Sequence, residues 1–428
     1  MRTKLKLLSI SIVLFALTSC KSQEEKQVVA QIEKTEESIT RVEASVESPS
    51  EQNIINVPKV ENKITGELNY TKNELQLSFI QYNREETPIG KIAKDGSIQF
   101  NLPDINLKAI YKEINMLSAS LESMFEMSQC KGDTSYGTKY EDIYSQKYDI
   151  GIKLYGITVA TLIPVSDEEI FKNLTSDDNL KYITGSKYSF YNIDQDINFD
   201  LECEQNDFAG AYDIELKRTA KIPIKKGWNL IKETIEQTQQ YTKEEFTKVI
   251  PKEITYTKVD YTDASIKWYI NQMASEDEIL LIKKLYHTTP LTKKAFVDWA
   301  PKKLTDNLPL TAIEYGKPPK NETNKNNIHL IFSNEHQKKE IELYIIDCAK
   351  NAEDLLIANN VYAMEAEYGE DKDKQPKPYV AQYNEEENTT KLLYKVNNRI
   401  VVNTTGLNIK PEELWKYIQQ LKIEQLIK

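Results

Sequence analysis

Four cysteines and only three histidines hold most of the nucleophilic and metal-ligating capacity of this 428-residue chain. A zinc protease needs two histidines one helical turn apart with a glutamate beside them. His287, His329 and His336 do not have that spacing. His329 and His336 flank one expected strand and its turn, and both are expected to be solvated imidazoles. A cysteine hydrolase needs a thiol beside an imidazole. Cys348 follows Asp347 at an expected strand end and reads as an inert structural thiol. The chain contains no Gly-x-Ser-x-Gly elbow, Walker loop or dinucleotide fingerprint. Asp194-Gln195-Asp196-Ile197-Asn198 opens like a calcium loop, but Phe199 stands where a glycine is required and Gln205 where a bidentate glutamate belongs. A polar turn is the better reading. Glycosidases work with two carboxylates facing one bond, and nothing in the spacing of the 66 acidic residues marks any two of them. Trp228, Trp268, Trp299 and Trp415 have the faces to stack on sugars. Trp268-Tyr269 is the most plausible exposed pair, although core packing is the expectation for it and for Trp415. No catalytic residue, metal or cofactor is therefore assigned.

The remaining cysteine has a different context. Arg2, Lys4 and Lys6 precede an apolar run from Leu7 to Leu17, which ends in Leu17-Thr18-Ser19-Cys20. The run is too short to span a bilayer, which takes about 20 apolar residues, and has the length of a signal-peptide core. A cysteine after an apolar residue and two small ones resembles the lipobox of bacterial lipoproteins. That resemblance implies cleavage between Ser19 and Cys20, a diacylglyceryl thioether on Cys20 and acylation of the new amino terminus. Stable anchoring takes more than one acyl chain, and the rest of the sequence offers no long apolar stretch. Lys21-Ser22-Gln23-Glu24-Glu25-Lys26 resembles the acidic export signal of Bacteroidota surface lipoproteins. It implies an outer-membrane site at the cell envelope with display on the cell surface. Export also permits a disulfide. With Cys20 consumed by lipid, Cys130 and Cys203 lie in the same half of the chain and are the candidate pair, leaving Cys348 single.

Removal of residues 1–19 leaves 52 basic and 66 acidic side chains, a formal charge of −14. Nucleic-acid binding demands clustered Lys and Arg, and docking to anionic lipid demands the same, so composition argues against both. Residues 21–62 hold no aromatic residue and no glycine, with nine acidic and five basic side chains. Such a segment cannot bury enough surface to fold alone. Val28, Ile32, Ile39, Val42 and Val46 fall near heptad spacing, so residues 20–62 are expected to be a disordered or partly helical tether.

From Lys63 the pattern changes to period two. Leu75, Leu77 and Phe79 alternate with polar residues, as do Ile98, Phe100 and Leu102 after the turn pair Asp95-Gly96. The stretch from Ile64 to Leu102, with Gly90-Lys91-Ile92 and then Asp95-Gly96-Ser97-Ile98-Gln99-Phe100, resembles small immunoglobulin-like modules at the front of Bacteroidota lipoproteins. Ile110, Ile114, Leu117, Leu121 and Met124 recur at helical spacing within 104–127, with Asp104 or Asn106 able to cap the start. Strands are expected over 150–165, 188–193, 197–203, 212–216 and 228–234. The Thr- and Lys-rich stretch of 235–260 is expected to hold a boundary. Domains are thus expected over 63–240, sandwich-like with the helix near 104–127, and over 241–428, an α+β unit.

In the second unit Ser275 to Glu278 is a capping box opening a helix to Leu285, and Lys293 to Trp299 is a second helix. Strands are expected over 328–333, 340–347, 362–368, 379–383, 392–396 and 400–403, with a helix over 352–359 and a turn at Asn397-Asn398. Pro411 opens a final helix. Asn398-Arg399-Ile400-Val401-Val402, then Thr405-Gly406 and Pro411-Glu412-Glu413-Leu414, resembles C-terminal α+β domains of exported bacterial proteins without assigned activity. The fold class expected overall is α+β and β-rich. The function expected is a non-enzymatic binding or interaction lipoprotein, held to the membrane by its N-terminal lipid, with a protein or glycan partner of unknown identity. A hydrolase of unrecognised family acting on glycan or peptide, and a structural component of an envelope complex, are the alternatives.

Overall fold

A computed structural model describes residues 54–80, 87–113, 121–127, 130, 143–176, 181–207, 213–243, 246–317, 324–369 and 377–427. The signal segment, Ser19, Cys20 and the heptad-spaced residues to Val46 lie outside them. The fold is α+β and rich in strand.

The first sheet is built from β1 (Ile54–Val57), β2 (Leu75–Phe79), β3 (Thr87–Ile92) and β4 (Ile98–Asn101), followed by helices α1 (Leu107–Glu113) and α2 (Leu121–Met124). It continues with β5 (Ser145–Tyr148), β6 (Ile150–Leu154), β7 (Ile157–Val165), helix α3 (Glu168–Thr175), β8 (Gly185–Ile193), β9 (Ile197–Asp207), β10 (Asp213–Ile224), β11 (Gly227–Lys243), β12 (Phe246–Val259) and β13 (Lys267–Gln272). These form one 13-stranded sheet in the order β1-β4-β3-β2-β6-β7-β8-β11-β12-β10-β9, with β13 on β7 and β5 on β8. The β10–β12 pairing is parallel.

Distances show that this sheet is curled. β4 and β8 are five strands apart in hydrogen-bonding order. At about 4.8 Å per strand they would be some ~24 Å apart in a flat sheet. Yet the rings of Phe100 on β4 and Phe190 on β8 are 5.4 Å apart. The two ends therefore face each other across a shared core, as the layers of a sandwich do. That core holds Phe79, Phe100, Phe190 and Trp268. The free edge of β13 is met by the segment after β1. Glu61 N donates to Trp268 O at 2.9 Å, Val60 N donates to Gly96 O at 3.0 Å, and Val60 bridges Trp268. Asn62 imitates a strand here: its Nδ2 donates to Ile270 O at 2.8 Å and its Oδ1 accepts from Ile270 N at 2.9 Å.

The second sheet follows helices α4 (Glu276–His287) and α5 (Lys293–Trp299). Its strands are β14 (Lys303–Leu304), β15 (Leu308–Tyr315), β16 (Asn327–Asn334) and β17 (Lys339–Asp347), then helix α6 (Glu353–Tyr368), β18 (Tyr379–Asn384), β19 (Thr389–Val396), β20 (Ile400–Leu407) and helix α7 (Pro411–Gln420). All seven strands pair antiparallel in the order β14-β15-β16-β17-β20-β19-β18. Phe332, Leu343, Val402, Leu414 and Ile418 share the core between this sheet and α5 and α7. On the opposite face Ile346, Cys348, Leu355 and Val401 join the core of the first sheet. Lys350 N also donates to Leu285 O at 3.0 Å.

Several expectations change. β1 lies inside 20–62, where a tether was expected, because its pairing with β4 is supplied from 44 residues downstream and is invisible locally. Residue 240 falls inside β11, and the first sheet continues to Gln272. The Thr-rich polar stretch is a long hairpin, β11 with β12. Thr is β-branched and fits a pleated surface that is wet on one side. The strand expected over 362–368 is instead the second half of α6. Ala363, Met364, Glu365 and Ala366 are strong helix formers, and the alternation of Tyr362 and Tyr368 with them misled the period-two reading. Asn106 caps the start of α1, its Oδ1 accepting from Ala109 N at 3.1 Å.

Candidate functional site

The histidines separate. His287 is exposed at the end of α4, and His336 is exposed in the β16–β17 turn. His329 is not solvated as expected but 7 % exposed. Its ring stacks on Tyr344, centroids 4.1 Å apart, and its Nδ1 and Nε2 lie 3.3 and 3.0 Å from Glu314 and Glu342. Burial opposes charge on this imidazole, but the hydrogen bonds to Glu342 and Glu314 and their negative charge outweigh it and raise its pKa. Glu314 also binds Lys317, and that bond and the one from His329 hold its carboxyl below the usual range. The imidazole fills the gap between the two carboxylates, so they cannot flank a substrate bond as a glycosidase pair does. The cluster staples β15, β16 and β17 together.

Asp347 is 0 % exposed. Its Oδ1 accepts from Arg399 Nε at 2.8 Å and Ala349 N at 3.1 Å, and its Oδ2 from Arg399 Nη2 at 2.9 Å and Leu291 N at 2.7 Å. Arg399 Nη2 also donates to Thr289 O at 2.9 Å. The bonds to Asp347 raise the pKa of Arg399. Every partner is supplied by the fold, so this pair is a latch between the α4–α5 linker, β17 and β20. Cys348 beside it is 0 % exposed and belongs to no disulfide among the described residues. Asp194 and Asp196 also bind the fold rather than a cation. Asp194 Oδ1 accepts from Tyr144 N at 3.1 Å, and Asp196 Oδ1 from Lys226 N at 2.7 Å. Trp268 is 0 % exposed and Tyr269 8 %, so neither offers a sugar platform. Trp415 packs between Tyr379 and Tyr394, each ring 4.9 Å away.

A different residue is out of place. On β10 the residues facing the core are Leu216, Arg218, Ala220, Ile222 and Ile224. Arg218 stands in that apolar row and is only 2 % exposed. Guanidinium cannot shed its charge, so its donors need acceptors. Nε donates to Gln205 Oε1 on β9 at 3.1 Å, and Nη1 donates to the Tyr256 hydroxyl on β12 at 2.7 Å. Burial first, then the charge of Glu233, pushes the Tyr256 pKa far up, so that hydroxyl is neutral. Nη2 donates to Glu126 Oε2. Three of the five N–H groups are thus engaged, and no described residue takes the other two.

Glu126 follows α2 with a left-handed backbone, φ 56°, and its main-chain oxygen accepts from Gln205 Nε2 at 2.8 Å. The Cys130–Cys203 disulfide, Cα atoms 5.0 Å apart, ties the same stretch to β9. Yet the Glu126 side chain is 69 % exposed. Arg218 and Glu126 border a cleft of about 110 Å³, walled by Ile170 and Leu174 of α3, Ile183, and Ile235 and Ile254 of the hairpin. Asp167 fixes α3 there by accepting from Ile170 N at 3.0 Å. Lys187 and Glu233 on the rim pair with each other at 2.9 Å. Asn173, Tyr182 and Ser186 stand among these apolar residues, so the recess is mixed in character. A buried cation there, capped by one exposed carboxylate, is suited to holding an anion.

The chain matches no family model, no curated protein and no solved structure. Among the described residues no helix is long and apolar enough to cross a membrane, and no group of three His, Cys, Asp or Glu is placed to hold a metal. The Arg218 cleft escaped sequence reading because the strand was ended at Leu216. The signal was present: one charged residue in the apolar phase of Ile214, Leu216, Ala220, Ile222 and Ile224.

Proposed function

We propose that this chain is a non-enzymatic binding protein, held at the cell envelope by lipid on Cys20, with the Arg218 cleft as its receptor site. The supporting observation is that Arg218 is buried in the apolar phase of β10, and that among the described residues the carboxylate paired with it belongs to a mostly exposed side chain. The charged clusters of Asp347 with Arg399 and of His329 with Glu314 and Glu342 are closed by partners within the fold. Anchoring is supported by Leu17-Thr18-Ser19-Cys20.

In-cell photocrosslinking tests this reading. A photoreactive amino acid replaces Glu126 in the full-length chain, at the lip of the cleft. A discrete adduct that disappears with Cys20→Ser supports an anchored receptor. Turnover of peptide or glycan substrates by the purified protein, with no adduct formed, would favour a hydrolase instead.

A further inference from the structure

The cleft also indicates what it binds, an inference that rests on the receptor reading above. We infer that the Arg218 site takes a carboxylate bearing a small branched alkyl group, and that Glu126 is a built-in competitor which this ligand displaces.

Arg218 is held by Gln205, Tyr256 and Glu126. Gln205 and Tyr256 are neutral groups on neighbouring strands, and both orient the guanidinium without neutralising it. Glu126 alone brings negative charge, and it does so from an exposed side chain. Swinging that carboxylate into water restores its hydration at little cost, and an incoming carboxylate takes over the Nη2 bond with one oxygen and an N–H that no described residue holds with the other. The exchange is like for like, so the buried cation is never left bare, which would be costly. A guanidinium with parallel N–H groups selects a planar two-oxygen acceptor. Glu233 would repel such a ligand, but Lys187 pairs with it at 2.9 Å.

Shape sets the remainder of the ligand. The cleft of about 110 Å³ is walled by Ile170, Leu174, Ile183, Ile235 and Ile254. A recess this small suits a short branched alkyl group such as a leucine or valine side chain. The alkyl carboxylate could be the C-terminal residue of a peptide or a free short branched acid.

Calorimetric titration of the full-length mature protein in detergent tests the assignment with three probes: N-acetyl-L-leucine, N-acetyl-L-leucinamide and isovalerate. The acid is expected to bind and the amide to bind at least tenfold more weakly. Glu126→Ala removes the competitor at an exposed position and is expected to bind the acid at least tenfold more tightly than the parent. Arg218→Lys, folded by circular dichroism, is expected to lose at least tenfold. If Arg218→Lys does not fold, Glu126→Ala decides alone. Equal affinity for acid and amide, or no gain of affinity in folded Glu126→Ala, overturns the inference. Tighter binding of N-acetyl-L-leucine than of isovalerate assigns a peptide C-terminus, and the reverse order a free acid. If the titrations fail while the crosslink at position 126 still forms, the receptor reading survives with a different ligand.

Discussion

Replacing Asp347 with Asn tests the latch that ties the α4–α5 linker to β17 and β20. The carboxylate takes four hydrogen bonds, two on each oxygen, from Arg399 Nε, Arg399 Nη2, Leu291 N and Ala349 N. An amide keeps one acceptor oxygen and turns an NH2 group toward the donors on the other side. Two bonds are lost whichever way it rotates, one of them to the Arg399 guanidinium. A hydrogen bond to a charged group is worth about 1.5–3 kcal/mol, and breaking a buried ion pair costs about 3–5 kcal/mol because the remaining charge is unpaired. Asp347 is 0 % exposed, so solvent cannot compensate, and a loss of about 3–5 kcal/mol is expected. Urea unfolding followed by tryptophan fluorescence measures it, since Trp299 and Trp415 pack against the core of the second sheet and Trp228 and Trp268 belong to the first. Adding Arg399→Met removes the orphaned charge, so the double variant should be more stable than Asp347→Asn alone. A loss below about 1 kcal/mol for Asp347→Asn, or no recovery in the double variant, would refute the latch.

The His329 staple makes a pH prediction. Its pKa is raised in the folded state by Glu342 and Glu314 against the opposing effect of burial, so its contribution is complete below about pH 6.5 and disappears as pH rises through the folded value. Urea midpoints should therefore fall as pH rises above about 6.5, and His329→Gln should flatten that slope; an unchanged slope contradicts the assignment. Reduction of the Cys130–Cys203 disulfide opens a loop spanning 73 residues of sequence, worth about 4 kcal/mol by loop entropy. Thermal melts with and without reductant should differ, and equal melts would contradict a formed disulfide. Gly90 has φ +147°, and a Cβ there would lie 1.9 Å from Gln99 O. Gly90→Ala should cost more than about 1–3 kcal/mol, the usual range for backbone strain, by separating β3 from β4. A melting temperature equal to the parent's would contradict that close approach.

What could be read from sequence was what local chemistry decides. Ser275 and Glu278 form a reciprocal capping box, with Ser275 N donating to Glu278 Oε2 at 2.7 Å and Glu278 N to Ser275 Oγ at 3.3 Å. Helix α5 spans Lys293–Trp299 as its periodicity requires, and Pro411 opens α7. Those features need only neighbours in the chain. The curl of the first sheet needs Phe100 and Phe190, 90 residues apart in sequence, in ring contact, and the closing bonds of Asn62 reach Ile270 across 208 residues. No periodicity encodes such pairings. The site was less legible still. Arg218 is remarkable only once β10 is known to run to Ile224, and Glu126 joins it from 92 residues away through a helix end that shows no motif. His329 was misjudged for a similar reason: Glu314 and Glu342 lie on the two strands flanking β16, and only the register brings them to its ring.

Mass spectrometry of the amino terminus tests the central claim most directly. Protein extracted from membranes should begin at Cys20, carry the mass of a diacylglycerol thioether with an added acyl chain, and pass to the soluble fraction as Cys20→Ser. A membrane-held chain that begins at Met1, or that begins elsewhere without lipid, would contradict the account of an anchored receptor.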